Sequence, residues 1–369
     1  MITSRFGRIA AIAGTGILAL SACGSDNATN QDSGGSGSNG DTEVSGTLTG
    51  VGASSQQAAM TAWKDGFSSE HSAAQVRYSP DGSGAGREAF LAGGADFAGS
   101  DVALKEKEIE EAKKRCTDAG ALNIPAYVSP IAISFNLPGI EHLNLDAETI
   151  AKIFQGKIKK WNDEAIASQN EGVDLPSTDI TVVHRSDESG TTKNFTDYLH
   201  QAAPEVWTED ASGEWPSAYA AEAAKGTNGV VTTTSSTEGA ITYADYSAVG
   251  DLGTVDVKSG DKYVEISQEA AANSLQTAER LGGNSEYDMK LKLDRTPDNG
   301  TYPVVLVSYH IVCAEYEDAS KADLVKAFEG YVVSEEGQKA AAKAAGSAPL
   351  IGEIAEDARA AAASISAAK

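Results

Sequence analysis

Three loops in this chain place small hydroxyl residues and glycine where a helix begins. Ser54 and Ser55 follow Gly50-Val51-Gly52 and precede a segment whose Ala59, Met60, Trp63 and Phe67 share one helical face. Gly82-Ser83-Gly84-Ala85-Gly86 follows an apolar run ending at Tyr78 and leads into residues 88–91. Arg185-Ser186-Asp187-Glu188-Ser189-Gly190-Thr191-Thr192 follows a third apolar run and opens a segment carrying Phe195, Tyr198 and Leu199. The first turn of a helix leaves N–H groups unpaired, so a serine there serves as a cap, and the same groups favour an anion. Capping explains any one of these loops. Three together, one with an arginine on the incoming strand, point to convergent anion binding. A Gly-Lys-Ser/Thr at the spacing of a nucleotide phosphate loop does not follow the glycines.

The elements that must position these loops alternate between short apolar strands and amphipathic helices, with no internal repeat, which is an α/β pattern. Strands are expected over 46–50, 75–78, 131–135, 180–184, 240–243 and 304–312. Helices are expected over 56–70, 105–115, 147–154, 191–199 and 322–333, with an alanine-rich helical tail after Glu336. A length of 369 residues exceeds one ordinary core, so two lobes are the prior.

The formal charge of -24 argues against nucleic acid as a partner, because a negative body repels polyanions. It leaves room for a small anion, since an arginine and oriented amides act over a few ångströms, where diffuse surface charge is screened. Arg5 and Arg8, the apolar run 9–20 and Leu20-Ser21-Ala22-Cys23 read as an export signal over 1–22 with a lipobox cut before Cys23. Residues 24–45 are almost entirely Gly, Ser, Asn, Asp, Gln and Thr and cannot bury enough surface to fold, so 23–45 reads as a lipidated tether. Acylation of Cys23 leaves Cys116 and Cys313 either to pair, if the fold brings them together, or to stay as buried thiols. The histidines and cysteines have no zinc-ligand spacing, so no metal and no cofactor is expected.

Seven segments then carry a resemblance. Gly50-Val51-Gly52-Ala53-Ser54, Gly82-Ser83-Gly84-Ala85-Gly86, Asp96-Phe97-Ala98-Gly99-Ser100-Asp101, Ile153-Phe154-Gln155-Gly156-Lys157-Ile158-Lys159-Lys160-Trp161-Asn162-Asp163, the Arg185 loop, Glu238-Gly239-Ala240-Ile241-Thr242-Tyr243 and Gly346-Ser347-Ala348-Pro349-Leu350 resemble, in order, the PstS family of phosphate-binding lipoproteins. The resemblance implies a two-lobed type II periplasmic-binding-protein fold with the ligand in the interlobe cleft. It places lobe 1 over 46–127 and 306–369, lobe 2 over 128–305, and the two crossings near 127–131 and 301–306.

The family's phosphate ligands map onto Ser54, Ser55, Ser83, Asp101, Arg185, Ser189, Gly190 and Thr191. Arg185 suits two oxygens of a tetrahedral anion, and Asp187 is read as the residue that orients it, against a solvent-facing turn residue. Asp101 is read as an acceptor for the phosphate proton, against a turn cap. The chain departs from the family at Ser55, where an aromatic residue is usual, and at Gln56, where proline is usual. Lys157, Lys159, Lys160 and Trp161 read as a solvated face and a core anchor. The implied partners are inorganic phosphate, the permease subunits of a phosphate ABC importer, and the membrane through the lipid anchor. Three other readings compete: a phosphate-ester hydrolase, for which no nucleophile elbow or metal cluster is present in the sequence; a binder of another oxyanion; and a surface interaction module.

Overall fold

The computed structural model describes residues 44–219, 221–283 and 285–368. The export signal 1–22, Cys23 and the tether through residue 43 lie outside them.

Three parallel strands open the fold: β1 (Gly46–Gly52), β2 (Ala74–Ser79) and β3 (Phe97–Ser100), with β1 in the middle. Parallel pairing demands crossover connections, and helices Gln57–Glu70 and Ser83–Leu91 supply them. A long strand, β4 (Ala121–Phe135), follows and is buried along its whole length. The second half of the sheet holds β5 (His142–Leu145), β6 (Thr181–Arg185), β7 (Glu222–Ala224), β8 (Ala240–Asp245), β9 (Gly253–Ser259) and β10 (Lys262–Val264). A separate ladder joins β11 (Glu279–Leu281) to β12 (Lys290–Lys292), and the chain returns through β13 (Val305–Cys313).

The connecting path of the main sheet runs β2-β1-β3-β13-β4-β8-β6-β7, with β9 pairing β4, β5 and β10 beside it. β4 pairs β13 through Pro130 and changes partner at Ile131, where it takes up β8. One strand thus carries the chain from one half to the other. The sequence reading found only 131–135 of it, because prolines are normally confined to edges and bulges and Pro125 and Pro130 argue against a central strand. The structure accommodates Pro125 at an irregularity: the β4/β13 register shifts between Ser308 and Tyr309, so Ser308 faces Tyr127 while Tyr309 faces Pro125. The carbonyl of the skipped residue, Ala126, accepts from Gln338 Nε2 at 2.6 Å.

Each half has its own aromatic core. Trp63, Phe97 and Phe328 surround His310 in the first, with Phe67 packed on Phe328, and His310 Nδ1 and Glu329 Oε2 lie 2.9 Å apart, both residues fully buried. Phe135 packs on Trp161 in the second, and Phe154, Phe195, Trp215 and Tyr243 form a further group. Trp161 also donates to the Gly239 carbonyl, which makes it a core anchor. Cys116 and Cys313 are joined by a disulfide across a separation of 197 residues, tying the end of helix Glu106–Arg115 to the end of β13. A cross-link closing so long a loop restricts the unfolded chain.

The alanine-rich tail forms two helices, Glu335–Ala345 and Gly352–Ser364. Several residues between 268 and 292, read from the sequence with lobe 2, touch residues read with lobe 1: Gln268 reaches the Ser347 carbonyl, Arg280 pairs with Asp357, and Asp288 and Met289 bond Asn123.

Candidate functional site

The site forms where loops from both halves meet at strand ends. The chain leaves β1 in a tight turn, Ser54–Gln56, and leaves β2 into helix Ser83–Leu91. It leaves β6 through Arg185 into helix Gly190–Ala202 and β7 into helix Gly226–Ser235. The N-termini of three helices, together with the Ser54 turn, thereby meet around one group of buried polar side chains, each bringing unpaired N–H groups and a positive dipole end.

The serines play different parts. Ser189 is a true cap, its Oγ accepting from Thr192 N at 3.2 Å. Ser83 and Ser54 make no capping bond. Ser83 Oγ accepts from Asp101 N at 3.2 Å, and Ser54 Oγ accepts from Thr227 N and contacts Thr227 Oγ1, both at 2.9 Å. The Ser83 bond ties two loops of the first half together, and the Ser54–Thr227 contacts join the two halves.

Arg185 is buried at the end of β6, 3 % exposed. Its Nε donates to Asp187 Oδ1 at 2.8 Å, and its Nη2 to Asp187 Oδ2, a fork that fixes the guanidinium plane and leaves the other N–H groups for a second partner. Asp187 also accepts from Gly226 N at 3.0 Å. Burial alone pushes the Asp187 carboxyl up, but the hydrogen bonds and charge of Arg185 and the Gly226 N–H outweigh it and hold the carboxyl below the ordinary range.

Asp101 is the second buried charge, 3 % exposed. Its carboxylate accepts from Ser55 Oγ (2.9 and 2.7 Å to its two oxygens), from Ser308 Oγ (2.7 Å) and from Thr191 Oγ1 (3.2 Å). Desolvation raises its pKa; the Ser308, Ser55 and Thr191 hydroxyls and the nearby Arg185 charge pull the other way without cancelling it. Ser55, where the resemblance suggested a wall beside the anion, spends its hydroxyl on Asp101.

All nine cleft residues anticipated from the sequence, Ser54, Ser55, Ser83, Asp101, Arg185, Asp187, Ser189, Gly190 and Thr191, lie in this cluster. The sequence reading missed Ser308, Thr227 and Gly226. It also missed an ion network centred on the buried Arg87: Arg87 bonds Glu108, Ser100 and Glu188, and the exposed Lys105 joins Glu188. Glu188 lies in the Arg185 loop and Arg87 just after the second glycine loop, so opposite charges beside two candidate loops were the available signal. The lysines Lys157, Lys159 and Lys160 are exposed, and Lys160 pairs with Asp179. Among the described residues no cluster of His, Cys, Asp and Glu could hold a metal ion.

At Gly190 the halves press closely together. A Cβ there would lie 2.6 Å from both Asp101 Cβ and Ser83 Oγ, so a side chain would wedge the helix N-terminus away from Asp101. Overpacking of this kind costs about 1–3 kcal/mol. If the anion anticipated from the sequence binds here, Gly190→Ala is therefore expected to weaken its binding at least about fivefold, the equivalent of about 1 kcal/mol. Calorimetric titration checks this; wild-type affinity in the variant would mean that the two halves do not close on the anion in this way.

Residues 37–336 match the family model described as a PBP superfamily domain. The chain is 38 % identical over 336 residues to phosphate-binding protein PstS 3 of Mycobacterium leprae (strain TN), covering 89 % of this chain and 90 % of that protein. It is 31 % identical over 287 residues to phosphate-binding protein PstS of Pasteurella multocida (strain Pm70), covering 76 % and 79 %. Its fold matches a high-affinity periplasmic phosphate-binding protein solved with phosphate bound (TM-score 0.69, 22 % identity, 85 % of this chain and 93 % of that one). It also matches the phosphate-binding protein of Stenotrophomonas maltophilia (TM-score 0.65, 22 % identity, 86 % and 94 %). With a two-lobed α/β fold, loops converging at strand ends and relatives aligned over nearly the whole described chain, this protein belongs to the PstS family of phosphate-binding proteins within the PBP superfamily.

Proposed function

We propose that this protein takes up inorganic phosphate in the cluster around Arg185 and Asp101 and delivers it to the permease subunits of an ABC importer. The observation that carries the reading is the pairing of two buried groups of opposite sign. Arg185, set by Asp187, offers charged donors; Asp101, ringed by hydroxyls, offers only acceptors. Phosphate at neutral pH has both anionic oxygens and a proton on at least one oxygen, so it satisfies both. Ser54, Ser83 and Ser189 would supply hydroxyl donors around the remaining oxygens, and Ser55, Gly190 and Thr191, whose side chains are a hydrogen or already turned to Asp101, would supply backbone N–H donors. Sulfate brings no proton and would face Asp101 acceptor to acceptor, which disfavours it. The proposed lobes are 46–127 with 306–369, and 128–305, closing on the anion. The relatives' names speak of binding and not of turnover, and we read the chain in the same way, as a carrier with no catalytic residue.

Loss of the charged donor should be severe. Arg185→Ala leaves a desolvated dianion and an unpaired Asp187, a penalty of about 3–5 kcal/mol by analogy with broken buried ion pairs. Isothermal titration of ligand-stripped protein should show phosphate binding nearly abolished. Affinity within about threefold of wild type, less than about 1 kcal/mol, would put the site elsewhere.

Delivery to a membrane importer fits an extracytoplasmic protein held at the surface, and we propose acylated Cys23 as the anchor. Among the described residues no helix is long and apolar enough to cross a membrane. Cys23→Ala should shift the protein from the membrane fraction to the soluble one, and mass spectrometry of the wild type should find lipid on Cys23. A variant that stays with the membrane, beside a wild type free of lipid, would contradict the anchor.

A further inference from the structure

One of the hydroxyls on Asp101 has its direction fixed by a residue that does not touch Asp101. Gln56 is fully buried, and its Nε2 donates to Ser308 Oγ at 2.8 Å and to the Tyr309 carbonyl at 3.0 Å. The carbonyl can only accept, so the amide end facing it must be the NH2, and toward Ser308 that NH2 can only donate. The Ser308 oxygen is therefore an acceptor from Gln56, and its own hydrogen is left for Asp101 Oδ1, 2.7 Å away. The sheet puts Ser308 there by register: Tyr309 pairs with Ser100, and the β4/β13 irregularity falls between Ser308 and Tyr309. Ser55, Gln56, Asp101 and Ser308 all come from the β1, β3 and β13 half, so this arrangement does not depend on the other half. Thr191, the remaining donor, comes from the opposite side.

We propose that Ser308, its hydroxyl aimed by Gln56, is a positioning residue that keeps Asp101 an ionised, acceptor-only group and so extends the preference for a protonated oxyanion into mildly acidic conditions. The second half of this statement rests on the phosphate reading above; the first does not. Every titratable group facing Asp101 bears on it. Arg185 favours the ionised form, while Asp245 on β8 opposes it. The phenols Tyr78 and Tyr127 are held neutral by burial and by the Asp101 charge. Lys193, Lys290, Lys292, Tyr309 and Arg295 share with Asp101 the lining of a cavity of about 300 Å³, Arg295 being paired with Asp197, which lines it too. Asp245 is itself pushed up to about 7 by burial, so it loses its charge on acidification and ceases to oppose Asp101. What then holds Asp101 ionised against desolvation is Arg185 and its hydroxyl donors, of which Ser308 is the one whose direction Gln56 fixes. A donor to the charged form lowers a carboxyl pKa, so deleting it raises the midpoint.

The test uses Ser308→Ala and Ser308→Thr. In ligand-free protein, carbon-13 NMR of aspartate carboxyls, assigned with Asp101→Asn, should show the Asp101 midpoint rising by about one pH unit in the alanine variant and returning toward wild type with threonine. The ratio of phosphate to sulfate affinity, titrated at pH 8 and pH 5, should fall about tenfold further on acidification in the alanine variant than in wild type. A folded alanine variant with the wild-type midpoint overturns the proposal. A shifted midpoint with an unchanged ratio upholds the positioning role and overturns its link to anion choice. A wild type that binds neither anion overturns the functional reading, and the ligand-free midpoints still decide the role of Ser308.

Discussion

The cleft depends on keeping two opposite charges, Arg185 and Asp101, out of water at the junction of two halves. An isolated buried charge costs several kcal/mol, so each must be held by its own set of partners before any ligand arrives. Arg185 has Asp187, itself tied to the N-terminus of helix Gly226–Ser235. Asp101 has hydroxyls from Ser55, Ser308 and Thr191 and a backbone link to Ser83. The two arrangements differ in chemistry. The arginine is fixed by a charged fork and stays a donor; the aspartate is fixed by neutral donors and stays an acceptor. On the proposed reading, a ligand between them accepts on one side and donates on the other, as a small oxyanion that keeps a proton at neutral pH can.

The scaffold makes this juxtaposition repeatable. A single buried strand, β4, pairs with β13 along its first part and with β8 along its last, so both halves are registered against one backbone. The β13 irregularity opposite Pro125 sets Ser308 beside Asp101, and Gln338 satisfies the carbonyl that the irregularity leaves over. The disulfide to Cys116 closes the far end of β13. Contacts across the junction are small and polar: Ser54 with Thr227, Gly84 N with the Glu188 carbonyl, Arg87 with Glu188, and Lys225 with Asp81. Of the two ion pairs, Lys225–Asp81 is exposed and contributes little, whereas Arg87 is buried where it meets Glu188.

Much of this was legible in the chain. Loops at the ends of β1, β2 and β6 advertise themselves through hydroxyl and glycine residues just before amphipathic segments, and Arg185 with Asp187 two residues later reads as a pair. Other parts were hidden for physical reasons. Prolines at 125 and 130 disguise the first part of β4, because only tertiary pairing shows that Pro125 meets a register irregularity and Pro130 the point where β4 changes partner. Ser308 lies inside an apolar strand with no motif, and its role exists only through register with Ser100. Helix Gly226–Ser235 is rich in threonine and glycine, which carry weak helical propensity, so its N-terminus could not be counted among the anion-facing groups. The contacts of 268–292 with Asn123, Ser347 and Asp357 involve residues far apart in sequence that no local pattern links.

The central claim is that Asp101 selects a protonated anion by being unable to donate. Asparagine at this position keeps the shape and adds an N–H donor, so isothermal titration of phosphate and sulfate against ligand-stripped wild type and Asp101→Asn addresses the claim directly. The account predicts measurably tighter sulfate binding in the variant and a phosphate-to-sulfate preference narrowed by at least about tenfold, equivalent to 1.4 kcal/mol. An unchanged preference in a folded variant would contradict it and remove Asp101 from the selection of the ligand.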